Sequence, residues 1–268
     1  FERMYRVPGT PVRYNLDRIE ALMKCLGNPH VQVPTLHIAG TKGKGSIAAM
    51  SAAILAHQGF RTGLYTSPHI HTIRERIRMN GVPVSEDEFA HLVETIWPVM
   101  KTICRESKDT RVTLFEYLTA MAFTHFSLER AQFQVVEVGL GGRLDATNIV
   151  NPTLCVITAL SLDHTALLGD TLQQIALEKA GIIKPHSVVI CAPQEPEALE
   201  TIRKVCKQQE ARLIDVSQAM KWNGNRTTLL GQSFSVDGRL SHYDGWIPLL
   251  GKHQIENAAI TIGIMEIL

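Results

Sequence analysis

The stretch from residue 34 to residue 58 constrains the fold most. Residues 34–39 are a short apolar run with the length of a buried strand. Residues 47–58 follow a helical pattern, with alanines, Ile54 and Leu55 for an inner face and Gly59 just past the end. Between them, His37 to Ser46 holds three glycines, two lysines, a threonine and a serine. A strand that runs through a glycine-rich turn into a helix is half of a βαβ unit, and chains built from such units form parallel sheets flanked by helices.

The same turn has the composition of an anion cradle. The first amides of a helix have no partner inside it, and the helix dipole favours negative charge there. Glycines let the backbone close around a phosphate. Lys44 is spaced to reach outer phosphates, and a neighbouring hydroxyl to meet Mg2+, so ATP with Mg2+ is the expected pair. The spelling departs from G-x-x-x-x-G-K-[ST]: Gly45 stands in the hydroxyl position, Ile38 in the first glycine position, and the hydroxyl has moved to Ser46. The plainer alternative is a glycine-rich surface turn with two solvated lysines, Lys42 and Lys44. The flanking strand and helix favour the cradle.

Elsewhere, strands alternate with helices. A helix over 15–26, capped by Asn15 and ended by Gly27, precedes the cradle. Strand 61–66 runs into Ser67-Pro68-His69, and the charged stretch Arg74 to Arg78 reads equally as a solvated loop. Asn80-Gly81 marks a tight turn. Ser85 with Glu88, and Thr113 with Glu116, have capping-box spacing; spacing alone makes the second pair structural. Pro98 is expected to kink or divide the helix it falls in. Strand 132–138 carries Glu137 near its tip, where a buried acid needs a partner or a cation. The glycine-rich segment 139–148, with Arg143 and Asp145, follows it and reads as a site or as a structural loop. Strand 153–158 exits toward His164, which by itself reads as an ordinary loop histidine. Thr171 caps a helix carrying Lys179, which by itself reads as an exposed helix lysine. Strand 187–191, helix 195–208 and strand 212–216 complete another βαβ step. Ligands gather at the C-terminal ends of such strands. Between about 217 and 250 the pattern changes to short alternating runs broken by glycines, expected to add antiparallel hairpins to one sheet edge. A last helix opens after Gly251.

Composition adds limits. The 268 residues are 45% hydrophobic and 20% charged with a formal net charge of +1, so no broad pull toward nucleic acid or anionic membrane is expected. No run is long and apolar enough for a membrane span, and no secretory leader pattern opens the chain. Five scattered cysteines (25, 104, 155, 191, 206) read as buried thiols in a reducing, cytoplasmic compartment. The initial Phe1 and the helical last segment give both ends a cut look.

Seven blocks in order resemble one family: Gly-Thr-Lys-Gly-Lys-Gly-Ser (40–46), Tyr-Thr-Ser-Pro-His (65–69), Thr-Leu-Phe-Glu (113–116), Glu-Val-Gly-Leu-Gly-Gly-Arg-Leu-Asp-Ala-Thr-Asn (137–148), Leu-Asp-His (162–164), Glu-Lys-Ala-Gly-Ile-Ile-Lys (178–184) and Gly-Lys-His-Gln-Ile-Glu-Asn-Ala (251–258). They resemble the Mur ligase superfamily, nearest to folylpolyglutamate synthase and dihydrofolate synthase, with Lys42 where that family commonly has Asn. The resemblance implies a mostly parallel α/β sheet flanked by helices, with the variant phosphate loop and a small antiparallel β addition. It implies ATP-driven joining of L-glutamate to the carboxylate of a folate, or of dihydropteroate, through an acyl phosphate, on small molecules and as a monomer.

By match, Thr41, Lys42, Gly43, Lys44, Gly45, Ser46 and Asn257 would hold the nucleotide. Ser67, Glu137 and His164 would ligate Mg2+, with Lys44, His164 and Lys179 in catalytic roles and Lys179 as a carbamate. Thr113, Leu114, Phe115, Glu116, Leu144, Asp145 and Ala146 would contact the pterin. The family also has a smaller C-terminal α/β domain, and this chain stops before it; the polypeptide alone is then expected to bind nucleotide poorly and catalyse little. The alternatives are a non-catalytic nucleotide- or pterin-binding module, and a Mur ligase acting on another carboxylate.

Overall fold

The computed structural model describes residues 14–106 and 112–268. Among these the strands are β1 Thr35–Ala39, β2 Thr62–Tyr65, β3 Ile77–Met79, β4 Val82–Pro83, β5 Phe133–Glu137, β6 Leu154–Ile157, β7 Val188–Cys191, β8 Arg212–Asp215, β9 Lys221–Thr228, β10 Gly231–Asp237 and β11 His242–Ile247. The helices are α1 Asp17–Cys25, α2 Lys44–His57, α3 Glu86–Glu106, α4 Leu114–Leu128, α5 Thr165–Leu168, α6 Leu172–Ala180, α7 Pro196–Gln208, α8 Val216–Ala219 and α9 Lys252–Met265.

The first eight strands form one sheet, ordered β4-β3-β2-β5-β1-β6-β7-β8, in which β2 through β8 of that order run parallel. Such strands are buried on both faces, which is why they read as continuous apolar runs. Alternate side chains serve opposite layers. Leu36 and Ile38 of β1 pack with Ile47, Ala48 and Leu55 of α2 and with Ile255 and Ile260 of α9. On the other face Tyr65 and Val136 pack against α1, α3 and α4, and Ala39, Ile157 and Val189 against α6 and α7.

Several expectations change. Helix α1 starts at Asp17, and Asn15 donates to the Asp17 carboxylate at 3.0 Å instead of capping. Residues 74–79 are a 3-10 turn and then β3, which turns back through Asn80 and Gly81 into β4, because Glu75 accepts from the amides of Ile70, His71 and Thr72. Pro98 sits inside an unbroken α3. Strands β9 to β11 form a separate three-stranded sheet, not an extension of the main edge: Phe234 and Val236 bury against α9. Cys155, Cys191 and Cys206 are buried, with burial pushing their thiols up to about 12, 12 and 11 respectively. Cys25 is exposed instead, and the Cys104 side chain lies outside the described residues. No helix among the described residues is long and apolar enough to cross a membrane.

Candidate active site

Helix α2 begins at Lys44, three residues earlier than its pattern suggests. Lys44, Gly45 and Ser46 therefore form its first turn, and its first internal bond is Ile47 N–H to Gly43 O at 2.9 Å. The amides ahead of that bond are the unpaired ones of a helix start. Gly43 turns the chain into the helix at φ 88°, where a side chain would also meet Asn257 Oδ1 at 2.5 Å. Asn257 of α9 thus lies against the loop.

The loop is strapped to the exit of β6. The amides of Thr41 and Lys42 both donate to Ala159 O at 3.1 Å, Thr158 Oγ1 donates to Lys42 O at 2.7 Å, and Thr41 Oγ1 pairs with Ser161. The backbone of Thr41 and Lys42 therefore fastens the loop and does not point at an anion. Neither Thr158 nor Ser161 carries a sequence signal for this role. Gly40 belongs to the same clamp, since a Cβ there would lie 1.8 Å from Thr158 Oγ1.

Lys179 is buried on α6, contrary to the exposed-lysine alternative, and donates to Gly40 O at 2.8 Å. Burial, then the nearby Lys44 charge, lowers its ammonium to about 8. Lys44, His164 and Lys179 share one cavity of ≈ 30 Å3 with Gly139, Leu140 and Gly141. That volume holds a water or a single ion, so anything larger lies across its mouth.

Glu137, at the tip of β5, is buried, and burial pushes its carboxyl above the usual range, offset by the Ser67 N–H and by Lys44. Ser67 N–H donates to Glu137 Oε2 at 3.0 Å, while Oε1 accepts nothing among the described residues. These two residues meet because β2 and β5 are neighbours. His164 lies past the exit of β6 and lines one cavity with Lys44 and with Val138 and Gly139, the two residues that follow Glu137. Strand β1 and its loop stand between β5 and β6, so the β6 exit is displaced by two strand spacings, roughly 10 Å. His164 is more than half exposed, with its Nε2 3.7 Å from the Asp163 carboxylate. No group of three or more His, Cys, Asp and Glu among the described residues converges to hold a metal. A buried carboxylate with one oxygen free nevertheless fits a cation between Glu137 and the first turn of α2.

The two segments matched to pterin contact come together, Leu114, Phe115 and Ala146 packing in one apolar cluster. Their acids have other partners. Glu116 accepts from Arg18 Nε at 2.9 Å and from Thr113 N at 2.6 Å, deep in the fold. Asp145 is buried, with Oδ2 taking the amides of Gly139 and Leu140 and Oδ1 taking Thr147.

The Mur ligase middle domain model matches residues 38–265. A dihydrofolate synthase/folylpolyglutamate synthase of Bacillus subtilis is 38% identical over 94% of this chain and 59% of its own length. A folylpolyglutamate synthase of Arabidopsis thaliana is 35% identical over 98% of this chain and 40% of its own. The chain thus spans about half the length of these curated relatives. Among solved structures, the apo Lacticaseibacillus casei folylpolyglutamate synthase superposes with a TM-score of 0.92 at 31% identity, over 97% of this chain and 64% of that one. A Mycobacterium tuberculosis enzyme of the same name, complexed with ADP and AMPPCP, gives 0.91 at 36% identity, over 95% and 59%. A folylpolyglutamate synthase–AMPPCP–folate complex gives 0.92 at 32% identity, over 96% and 64%. The chain belongs to the Mur ligase family through its middle domain, and its likeness within that family is to folylpolyglutamate and dihydrofolate synthases.

Proposed function

We propose that this chain is the nucleotide-binding part of an ATP-dependent ligase that joins L-glutamate to the carboxylate of a folate, with dihydropteroate as a second acceptor. The observation that carries the reading is Lys44 on the first turn of α2, opening into the cavity that also holds His164 and Lys179. Relatives solved with AMPPCP and with folate support it. Buried thiols support a reducing, cytoplasmic setting, and the near-zero net charge supports work on small molecules and not on nucleic acid.

In this reading the unpaired amides of Lys44, Gly45 and Ser46, with the Lys44 ammonium, hold the triphosphate. Asn257 backs the loop. An acceptor carboxylate oxygen attacks the γ-phosphorus as the bond to the bridging oxygen breaks, giving ADP and an acyl phosphate. The glutamate nitrogen then attacks the acyl carbon; phosphate leaves and the nitrogen loses a proton. Positioning and charge screening supply the catalysis, because two anions must approach. Glu137 and Ser67, with His164 across the loop, would hold Mg2+, which when bound screens the triphosphate charge. The pterin would lie over Thr113, Leu114 and Phe115 and over Leu144 and Ala146. Lys179 as a carbamate fits an amine lowered to about 8, since only the neutral amine takes up CO2. Labelling with 13C-bicarbonate is expected to give a carbamate signal that grows as pH rises through about 8; no signal at any pH rejects the modification.

The direct test is glutamate-dependent ADP release with tetrahydrofolate and with dihydropteroate as acceptors, by this chain and by one extended at its C-terminus. Release by neither, with either acceptor, overturns the reading. Glu137→Gln is expected to move the Mg2+ titration to higher concentration, and an unchanged titration removes its ligand role. Gly43→Ala is expected to cost about 1–2 kcal/mol from the left-handed backbone alone, and to weaken ATP binding by displacing Asn257. Thermal unfolding and nucleotide titration check the two effects, and wild-type values in both reject the loop geometry.

A further inference from the structure

A buried hydrogen-bonded chain runs from the central strand to the cavity wall. His37 of β1 lies in the same strand that feeds the glycine-rich loop, and its Nε2 is 2.9 Å from Thr147 Oγ1. Thr147 Oγ1 is 2.5 Å from Asp145 Oδ1, which also accepts the Thr147 amide at 3.0 Å. Asp145 Oδ2 accepts the amides of Gly139 at 3.1 Å and Leu140 at 2.9 Å. His37 and Thr147 are fully buried and Asp145 is 6% exposed.

The direction of each bond follows from the donors available. Burial pushes the Asp145 carboxyl above its usual range, but three backbone N–H groups and a hydroxyl converge on it with every hydrogen aimed at oxygen, the geometry of an accepting carboxylate. The carboxylate only accepts, so the Thr147 hydroxyl proton points at it, and Thr147 Oγ1 must accept from His37 Nε2–H. That tautomer, assigned from the network, leaves His37 Nδ1 without a proton, and Nδ1 is buried with no partner. Burial, with the Lys184 charge, holds the imidazole down to about 3, so His37 stays neutral and acts as a fixed donor. The remaining ionisable neighbours whose charges couple to this network are Glu137, Lys179 and Tyr65.

Gly139 and Leu140 line the cavity with Lys44, His164 and Lys179. With both amides turned to Asp145, the carbonyls of the same planar peptides, those of Val138 and Gly139, point the opposite way. The orientation of this wall therefore depends on a side chain in the central strand. The geometry points to His37, Thr147 and Asp145 as positioning residues that hold the Gly139–Leu140 backbone in its cavity-lining orientation. In this role Asp145 acts through that backbone.

Amide hydrogen exchange and steady-state kinetics on Thr147→Val, Thr147→Ser and His37→Phe test this. Thr147→Val is expected to speed exchange at Gly139 and Leu140 by at least about tenfold, and to lower kcat while leaving KM for ATP unchanged. Thr147→Ser keeps the hydroxyl and is expected to restore both. His37→Phe is expected to act in the same direction as Thr147→Val but less, and it carries the test should Thr147→Val fail to fold. Wild-type exchange in Thr147→Val overturns the inference, as does a Thr147→Ser variant that behaves like the valine. Faster exchange with unchanged kcat reduces the network to a brace and equally overturns its positioning role. The kinetic arm rests on the ligase reading, whereas exchange needs no turnover, so failure of that reading and failure of the network are told apart.

Discussion

In the proposed ligase extended at its C-terminus, Lys44→Ala is expected to abolish glutamate-dependent ADP release, by at least about 10^2–10^3-fold, the scale of removing one preorganised charge donor from a transition state. The fold is expected to survive. The Lys44 side chain is half-buried, and its hydrogen bond to Thr41 O is long at 3.4 Å. The loop itself is held by backbone bonds to Ala159 and by Thr158, none of which uses the lysine side chain. Alanine is also a better helix former at the head of α2 than most residues. Loss of turnover with Tm within about 2 °C of wild type is the expected pair of results. Normal turnover in the variant would remove the phosphate role of the loop. A collapsed Tm would instead mean that the ammonium stabilises the loop in a way its contacts do not show. Lys44→Arg separates charge from shape: a guanidinium keeps the charge but not the compact ammonium, and partial activity is expected.

Glu116→Ala is expected to produce the largest stability loss, about 3–5 kcal/mol, as when one partner of a buried ion pair is removed. For a chain of this size that corresponds to a fall in Tm of roughly 10 °C. Arg18 and Glu116 are 7% and 4% exposed, and the pair joins α1 to the start of α4 at 2.9 Å. Glu116 also closes the Thr113 capping box. The alanine therefore strips a charge partner and an end cap together. Replacing both ends with apolar residues of similar volume, Arg18→Met with Glu116→Leu, is expected to recover much of the loss, because no charge is then left buried. Differential scanning calorimetry on the single and double variants decides. A Glu116→Ala Tm equal to wild type would show that the pair contributes nothing. If the pterin lies over Leu114 and Phe115 as proposed, weaker acceptor binding is expected to accompany the instability, because both lie on the same first turn.

Signals carried by residues three or four apart were legible in the chain. Thr171 caps α6, where the structure adds Gln174 as its reciprocal partner, and the capping boxes at Thr113 with Glu116 and Ser85 with Glu88 form as their spacing predicts. So does the strand, turn and helix around Lys44, since local backbone preference and apolar period suffice to specify it. The alternating elements indicated a parallel sheet but not its order. Strand order decides the site: it brings Ser67 to Glu137, and it sets the exits of β5 and β6 on either side of the loop that follows β1.

What the amino-acid sequence determined by itself was the alternation of the longer strands and helices and the loop that opens α2, but not the short β3, β4, α5 and α8. Only the tertiary structure decided which buried polar groups pair. Arg18 meets Glu116 across 98 residues, His37 meets Thr147 across 110, and Lys179 meets Gly40 across 139. No local propensity reports such pairings. Each exists because packing the layers buries a charge or a donor, and a buried polar group must take whatever partner the fold brings beside it.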